Sequence, residues 1–130
     1  MSAMKYRDDN KVLWRGIRPA HNGNQIIKRV SVVNGSSIVH TVSAGKTLYL
    51  TQWRFSSQTT VAGLYGNIHV RDGGDVILYY MDDILMAAIG EYGNAVGLFF
   101  PIEIPAGYDV VVQSSGVGLD ARGFIHGFEE

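Results

Sequence analysis

Three consecutive residues of the sequence match the end of a phosphate-binding P-loop. They are Gly45, Lys46 and Thr47 in the stretch VSAGKTLYL, and a P-loop uses such residues to hold phosphates with backbone N–H groups, a lysine and a hydroxyl. A complete P-loop has another glycine five positions before Gly45, where this chain has His40. It also continues into a helix whose amino terminus faces the phosphates, whereas LYLTQWRF has the pattern of a strand. We therefore predict a glycine turn before a strand, and no nucleotide site.

The histidines do not have the spacing of metal ligands. The four of them, His21, His40, His69 and His126, are far apart in the sequence, and the chain has no cysteine. Neither His-x-His nor H-E-x-x-H occurs, and Ile68-His69-Val70 supplies only one histidine where a cupin would begin its metal motif with two. We expect structural or solvent-facing histidines, with no metal and no cofactor.

Two pairs of aspartates could supply oxygen ligands to calcium, but neither follows the pattern of a calcium loop. Asp72 with Asp75 and Asp82 with Asp83 lack the D-x-[DN]-x-[DN]-G arrangement, so turn and helix-cap roles explain them more simply. No serine lies in a G-x-S-x-G motif. We predict that the chain is not an enzyme; the alternative is a site assembled in space, for which a cavity joining His69 or His126 to carboxylates would be required.

Four aromatic residues could stack on sugar rings or anchor an interface. They are Trp14, Trp53, Tyr79 and Tyr80, and aromatic rings combine apolar area with a polar group. Trp53 lies within a strand pattern, and we assign it to the core. Tyr79 and Tyr80 are adjacent, so strand alternation places them on opposite faces and directs one outward.

The composition favours short strands in a single domain. The 130 residues include 30 of valine, isoleucine and threonine, only eight of glutamate and lysine, and 16 glycines. Without cysteine there are no disulfides, which favours an intracellular or virion setting. The first residues lack the apolar stretch of a signal peptide, and no apolar run is long enough to span a bilayer, so we expect a soluble protein without a membrane partner.

Turn signals divide the chain into strands. Asn34-Gly35 separates two β-rich runs within residues 26–42, which predicts a hairpin. Asp72-Gly73-Gly74 predicts a second hairpin, with a steric role for its glycines.

The remaining segments complete a sheet-rich pattern. In KTLYLTQWRF, Leu48 and Leu50 alternate with Tyr49, Thr51, Trp53 and Phe55, which predicts a strand covered on both faces. Asp82 or Asp83 could cap a short helix through residues 84–89. The runs VGLFFPIEI, YDVVVQSS and RGFIHGFEE predict three closing strands.

An internal similarity relates the two halves of the chain. IPAGYDVVVQ aligns with VSAGKTLYLT at an offset of 62 residues, with Ala-Gly identical and buried-strand residues following in both. We predict an all-β fold, an antiparallel β-sandwich of jelly-roll type with eight or nine short strands and at most one short helix. Two similar four-stranded units are expected to pack face to face. Residues 1–25 form a basic amino-terminal arm and first strand, residues 26–130 form the sandwich, and the whole is one domain.

Charge is unevenly distributed along the chain. The first 30 residues contain seven basic and two acidic side chains, a net charge of +5, and the remaining 100 contain four basic and ten acidic ones, a net charge of −6. A basic leading arm that docks on an acidic neighbour is one explanation, and chance with solvated side chains is the other. The acidic body argues against nucleic acid as a partner.

The turns VSAGKTLYL and IPAGYDVVV and the closing stretch GFIHGFEE resemble small jelly-roll virion proteins of bacteriophages, such as capsid decoration and head-fibre domains. The resemblance covers residues 26–130 and rests on strand and turn pattern, which tumour-necrosis-factor-like and carbohydrate-binding sandwiches share.

The resemblance implies a non-enzymatic structural protein, located in the virion or in the host cytoplasm during assembly. Its partners would be other copies of itself, as in a trimer, and a larger viral structural protein. The alternative is a carbohydrate-binding β-sandwich module. The predicted interface residues are Lys5, Tyr6, Arg7, Lys11, Trp14, Arg15, Arg18, Tyr79 and Tyr80.

Overall fold

A computed structural model describes residues 23–130, which form two packed antiparallel sheets. The strands are β1 (Asn24–Val32), β2 (Gly35–Thr41), β3 (Leu48–Thr59), β4 (Leu64–Arg71), β5 (Ile77–Met86), β6 (Gly90–Ile104), β7 (Asp109–Ser114) and β8 (Leu119–Glu129). Sheet 1 has the order β1-β8-β3-β6 and sheet 2 the order β2-β7-β4-β5. The predicted all-β sandwich is confirmed, and this strand order is that of a jelly roll.

The two halves of the chain are related by topology, but they interlock. If each strand number of sheet 1 is advanced by four, counting on from β8 to β1, the order becomes β5-β4-β7-β2. This is the order of sheet 2 in reverse. Each half therefore contributes two strands to each sheet. The prediction that each half forms its own four-stranded unit was wrong, because consecutive strands lie in different sheets, with the exception of β4 and β5.

The two Ala-Gly turns occupy equivalent places and contact each other. Gly45 has φ of 74° and Gly107 has φ of 83°, so both adopt the left-handed conformation that glycine reaches without strain. Val42 N–H donates to the Tyr108 carbonyl at 2.9 Å, and Gly107 N–H donates to the Val42 carbonyl at 2.9 Å. Strand β3 starts at Leu48, directly after the Gly-Lys-Thr residues. The predicted turn before a strand is confirmed.

The core lies between the sheets and depends on a β-bulge in β3. From Leu50 to Gln52 strand β3 advances by two residues while its partner β8 advances by one, so Thr51 is an extra residue against β8. The pairing with β6 is also irregular at this point, but there the extra residues belong to β6, between Gly97 and Ile102. Leu48, Leu50 and Trp53 all face the core as a result, and all three are buried. Trp53 in the core is confirmed, but the prediction that both faces of β3 are covered was wrong. Without the bulge, strict alternation would have placed the two leucines and Trp53 on opposite faces.

The two predicted hairpins have different outcomes. Asn34-Gly35 is a corner between sheets, because β1 pairs with β8 and β2 pairs with β7, so the hairpin predicted there was wrong. The hairpin around Asp72 is confirmed, since β4 pairs with β5. In that turn the Asp72 carboxylate accepts hydrogen bonds from Gly74 and Val76 N–H groups, and Asp75 has the positive φ, 66°, that had been assigned to the glycines.

The short helix expected within residues 84–89 is absent from the described residues, because β5 continues to Met86. Pairing with β4 and packing of Ile84 and Met86 against the core stabilise the strand. None of the described elements is a helix of the length and apolarity needed to cross a membrane.

Candidate functional site

The predicted interface residues fall into two groups. Tyr79 and Tyr80 lie on β5 and are exposed. The others lie outside the described residues, and they are Lys5, Tyr6, Arg7, Lys11, Trp14, Arg15 and Arg18.

Tyr79 and Tyr80 belong to a larger apolar surface, which we call the open edge. It comprises eight exposed side chains on β5, β6 and the turn that joins them: Ile77, Leu78, Tyr79, Tyr80, Leu85, Ile89, Phe99 and Phe100. Phe99 is 63% exposed and Phe100 is 70% exposed, values far above those of phenylalanines in a protein interior. Large exposed apolar patches mark interaction surfaces, and these eight side chains are the candidates for such a surface here.

The open edge exists because β5 and β6 are the end strands of the two sheets on the same side of the sandwich. Met86 is the only buried residue of β5, and Ile104 is the only buried residue of β6. The two strands are linked across this side by the Tyr92 hydroxyl, which donates to the Asp82 carboxylate at 2.9 Å. Burial and this carboxylate together raise the pKa of Tyr92. Each end strand also leaves backbone groups available for pairing with another chain.

The two adjacent tyrosines do not form a flat sugar-stacking platform. Tyr80 is paired with His69 on the outward face of sheet 2, and the two rings meet edge-on with centroids 5.7 Å apart. Tyr79 is paired with Val70, whose side chain is in the core. Burial raises the pKa of Tyr79. The rings therefore point to opposite sides of β5, as alternation predicts.

The surroundings of the open edge are acidic. Residues 72–104 contain six carboxylates and no lysine or arginine. Four of these acids, Asp72, Asp75, Asp82 and Asp83, lie in β5 or in the turn before it. Such a surface is complementary to one that combines apolar side chains with positive charge.

His69 is buried in a polar row on the outward face of sheet 2. Its Nδ1–H donates to Asn67 Oδ1 at 2.7 Å, and Asn67 Nδ2 donates to Gln113 Oε1 at 3.2 Å. Burial lowers the pKa of His69, the nearby Arg71 lowers it further, and Asp83 raises it by a smaller amount. These contacts give His69 a structural role in holding β4 against β7.

A second buried histidine is paired with a carboxylate, but at the end of the sandwich. His40 Nε2 lies 2.6 Å from Glu129 Oε2, and both side chains are buried. The same oxygen accepts a hydrogen bond from Ser43 N–H at 3.1 Å. The pair ties β8 to β2 and to the turn after β2.

The third histidine within residues 23–130, His126, has partners of a different kind. His126 contacts Thr51 Oγ1 at 2.8 Å and Gln25 Nε2 at 3.0 Å, with no carboxylate among these partners. Among the described residues, no group of three or more histidine, aspartate or glutamate side chains is arranged to hold a metal ion.

Sequence reasoning missed one feature, a groove of about 710 Å³ on the outward face of sheet 1. Arg29, Arg54 and Arg122 line it, together with Phe124. The signal was available as three short alternating patterns, Arg-Val-Ser at 29–31, Arg-Phe-Ser at 54–56 and Arg-Gly-Phe at 122–124. The pairing of strands far apart in sequence, which brings the three patterns together, was not visible in any one of them.

Comparison with known proteins adds no family. No protein-family model matches the chain, and no curated protein matches it in sequence.

Proposed function

We propose that this chain is a non-enzymatic structural protein that assembles with copies of itself through the open edge. The observation that carries the proposal is the cluster of exposed aromatic and aliphatic side chains on two end strands, among them Leu78 and Phe100. Leaving such side chains in water costs about 1.5–3 kcal/mol each relative to burial. An adjacent chain that covers them recovers this free energy.

The partner surface that best suits the open edge is the leading segment of another copy. Residues 1–22 contain five basic and two acidic side chains, and they include the apolar Tyr6 and Trp14. The open edge has the opposite charge and many apolar side chains. Two open edges facing each other would bring like charges together, whereas a leading segment against an open edge brings opposite charges together.

A virion role follows from combining this assembly mode with the resemblance to phage decoration and head-fibre proteins. Jelly rolls build viral capsid domains, although they also occur in lectins and cupins. A closed ring such as a trimer would let each copy give one leading segment and receive another. The remaining surface would then be available to dock on a larger shell protein.

Sedimentation equilibrium of the full-length chain tests the proposal. We expect the wild-type protein to exceed the monomer mass, and we expect Leu78→Thr and Phe100→Thr to weaken association by about tenfold or more. Threonine keeps strand propensity, so the sandwich should keep its melting temperature. Deleting residues 1–11 should weaken association and reduce its dependence on salt.

Val117→Thr is the matched control, since Val117 is 76% exposed but lies in the turn between β7 and β8. It should leave the mass unchanged. A wild-type chain that sediments as a monomer at every concentration contradicts the proposal. So does an oligomer that survives both open-edge substitutions.

Carbohydrate binding is the second candidate function. It is favoured by the arginine-lined groove on sheet 1 rather than by Tyr79 and Tyr80. Loss of glycan binding after Tyr80→Ala would instead locate the sugar at the open edge.

A further inference from the structure

We propose that the groove on the outward face of sheet 1 binds an acidic oligosaccharide, a sugar chain that bears carboxylate groups. This inference goes beyond self-assembly. It concerns a different surface, and a monomeric variant can be used to test it.

The groove is built by strand register. Arg29 on β1 pairs with Phe124 on β8, and Phe124 pairs with Arg54 on β3, so these three side chains form one row across the sheet. The next row on the same face is Ser31, Arg122 and Ser56. With strands about 4.8 Å apart, Arg29 and Arg54 are about 10 Å apart, with Arg122 between them and one row along.

Small residues on β6 leave room beside these two rows of side chains. Ala95 is paired with Arg54, and Gly93 is paired with Ser56. A Cβ added to Gly93 would meet nothing within 4 Å. The groove is therefore wide enough for a ring system to lie against the sheet, and its volume is within the range of ligand sites.

The groove is positively charged, although residues 23–130 as a whole have a net negative charge. Residues 23–130 contain six basic and ten acidic side chains, a net charge of −4, yet three of the six basic ones line this groove. Asp120 Oδ2 accepts hydrogen bonds from Arg122 Nη2 at 2.8 Å and from Nε at 3.2 Å. The pair holds Arg122 in place, and the groove keeps a local charge of about +2.

Arg54 is preorganised for a planar anion. Its Cζ lies 4.5 Å from the centroid of the Phe124 ring, which is the geometry of a cation–π contact. The N–H groups of a guanidinium form a fork that matches a carboxylate, and the contact with Phe124 restricts where Arg54 can place that fork. Ser31 and Ser56 add hydroxyl groups that suit the hydroxyls of a sugar ring.

A sugar fits these observations better than nucleic acid. Single-stranded nucleic acid is bound by exposed aromatic faces on which bases stack, and here Arg54 covers Phe124, the outward-facing ring of the groove. A densely charged phosphate chain would also be repelled by a body with net negative charge. A sparsely charged chain with many hydroxyls avoids both problems.

Isothermal titration with tetragalacturonate, on the Phe100→Thr variant, tests the proposal. We expect saturable binding, and no binding of a neutral tetrasaccharide such as maltotetraose. Arg29→Gln and Arg54→Gln should each weaken binding by about ten- to a hundredfold. Arg54→Lys keeps the charge but removes the fork, so it should lose most of the same affinity.

Lys46→Gln is the control for charge alone, because Lys46 is exposed in the turn between β2 and β3. It should bind as the parent does. The proposal is overturned if tetragalacturonate does not bind, or if the arginine substitutions leave its affinity unchanged. It is also overturned if a 12-nucleotide oligothymidylate or a polyglutamate peptide binds more tightly. Because self-association is measured separately, either proposal can fail while the other stands.

Discussion

Glu129 accepts a hydrogen bond from His40 at 2.6 Å, and this contact joins β8 in sheet 1 to β2 in sheet 2. Thr47 and Glu130 reinforce it by exchanging backbone hydrogen bonds of 2.9 and 3.1 Å. The carboxyl-terminal strand β8 is central in sheet 1, between β1 and β3. Fixing its end therefore holds both neighbours in register.

We predict that Glu129→Gln lowers the free energy of unfolding at pH 7 by about 1.5–3 kcal/mol, the usual contribution of a hydrogen bond to a charged group. Urea denaturation followed by tryptophan fluorescence measures it. Glu103→Gln removes the same charge from an exposed position on β6 and should change stability by less than about 0.5 kcal/mol. Equal effects from the two substitutions would show that the pair with His40 contributes nothing specific.

The same pair predicts a loss of stability in acid. Burial alone would raise the pKa of Glu129, but hydrogen bonds from Ser43 and His40 outweigh it and hold the pKa below the ordinary 4.5. The contribution to stability is therefore complete above pH 4.5 and is lost as pH falls through the lowered pKa of the folded state. Urea denaturation at successive pH values should show this decline in the wild type and a smaller one in Glu129→Gln. Identical profiles would contradict it.

We predict from His69 a second loss of stability on acidification, in a pH range above that of Glu129. Burial and Arg71 lower its pKa below 6.5 in the folded chain, so the unfolded chain takes up the proton first as pH falls. The contribution of neutral His69 is complete above pH 6.5 and declines below it. Proton NMR should give a midpoint below 6.5 for this imidazole, and His69→Gln should flatten the stability profile just below pH 6.5. A midpoint at or above 6.5 would refute the prediction.

The parts of the fold that sequence predicted well are those set by local chemistry. Gly45 and Gly107 each follow an alanine and precede a buried strand, and a residue of positive φ is needed at both turns. The Asp72 turn was equally local, since its carboxylate bonds to backbone two and four residues away. Short-range patterns of this kind carry their own steric explanation.

The parts that sequence missed depend on partners far along the chain. Asn34-Gly35 has the signature of a hairpin, but pairing of β1 with β8 and of β2 with β7 separates its flanking strands. The arginine groove depends on the same long-range pairing. Both Tyr79 and Tyr80 are exposed, whereas strand alternation had predicted that one of them points outward. Phe99 and Phe100 were predicted only as part of a closing strand, because exposure of an end strand has no local signature.

Close backbone contact predicts a strong glycine requirement at position 127. A Cβ on Gly127 would lie 2.5 Å from the Tyr49 carbonyl oxygen, beside the bulge of β3. We expect Gly127→Ala to destabilise the protein by about 1–3 kcal/mol, the usual cost of overpacking. Gly97→Ala is the control, since its added Cβ would meet nothing within 4 Å. Thermal unfolding distinguishes them, and equal midpoints would show that β8 moves away from β3 without cost.

The bulge at Thr51 decides which side chains enter the core, and two changes separate its roles. Thr51 Oγ1 donates to the His126 carbonyl at 3.0 Å, so Thr51→Ala should cost only about 0.5–1.5 kcal/mol. Deleting Thr51 leaves Leu48, Leu50, Trp53 and Phe55 at alternate positions. A regular strand without the bulge can then direct all four side chains to the core. We therefore expect the deletion variant to keep a cooperative thermal transition and the near-ultraviolet circular dichroism of Trp53. A deletion variant without a cooperative transition would contradict this and would mean that the bulge itself, and not only the direction of the core side chains, is required for β3 to pair with β8.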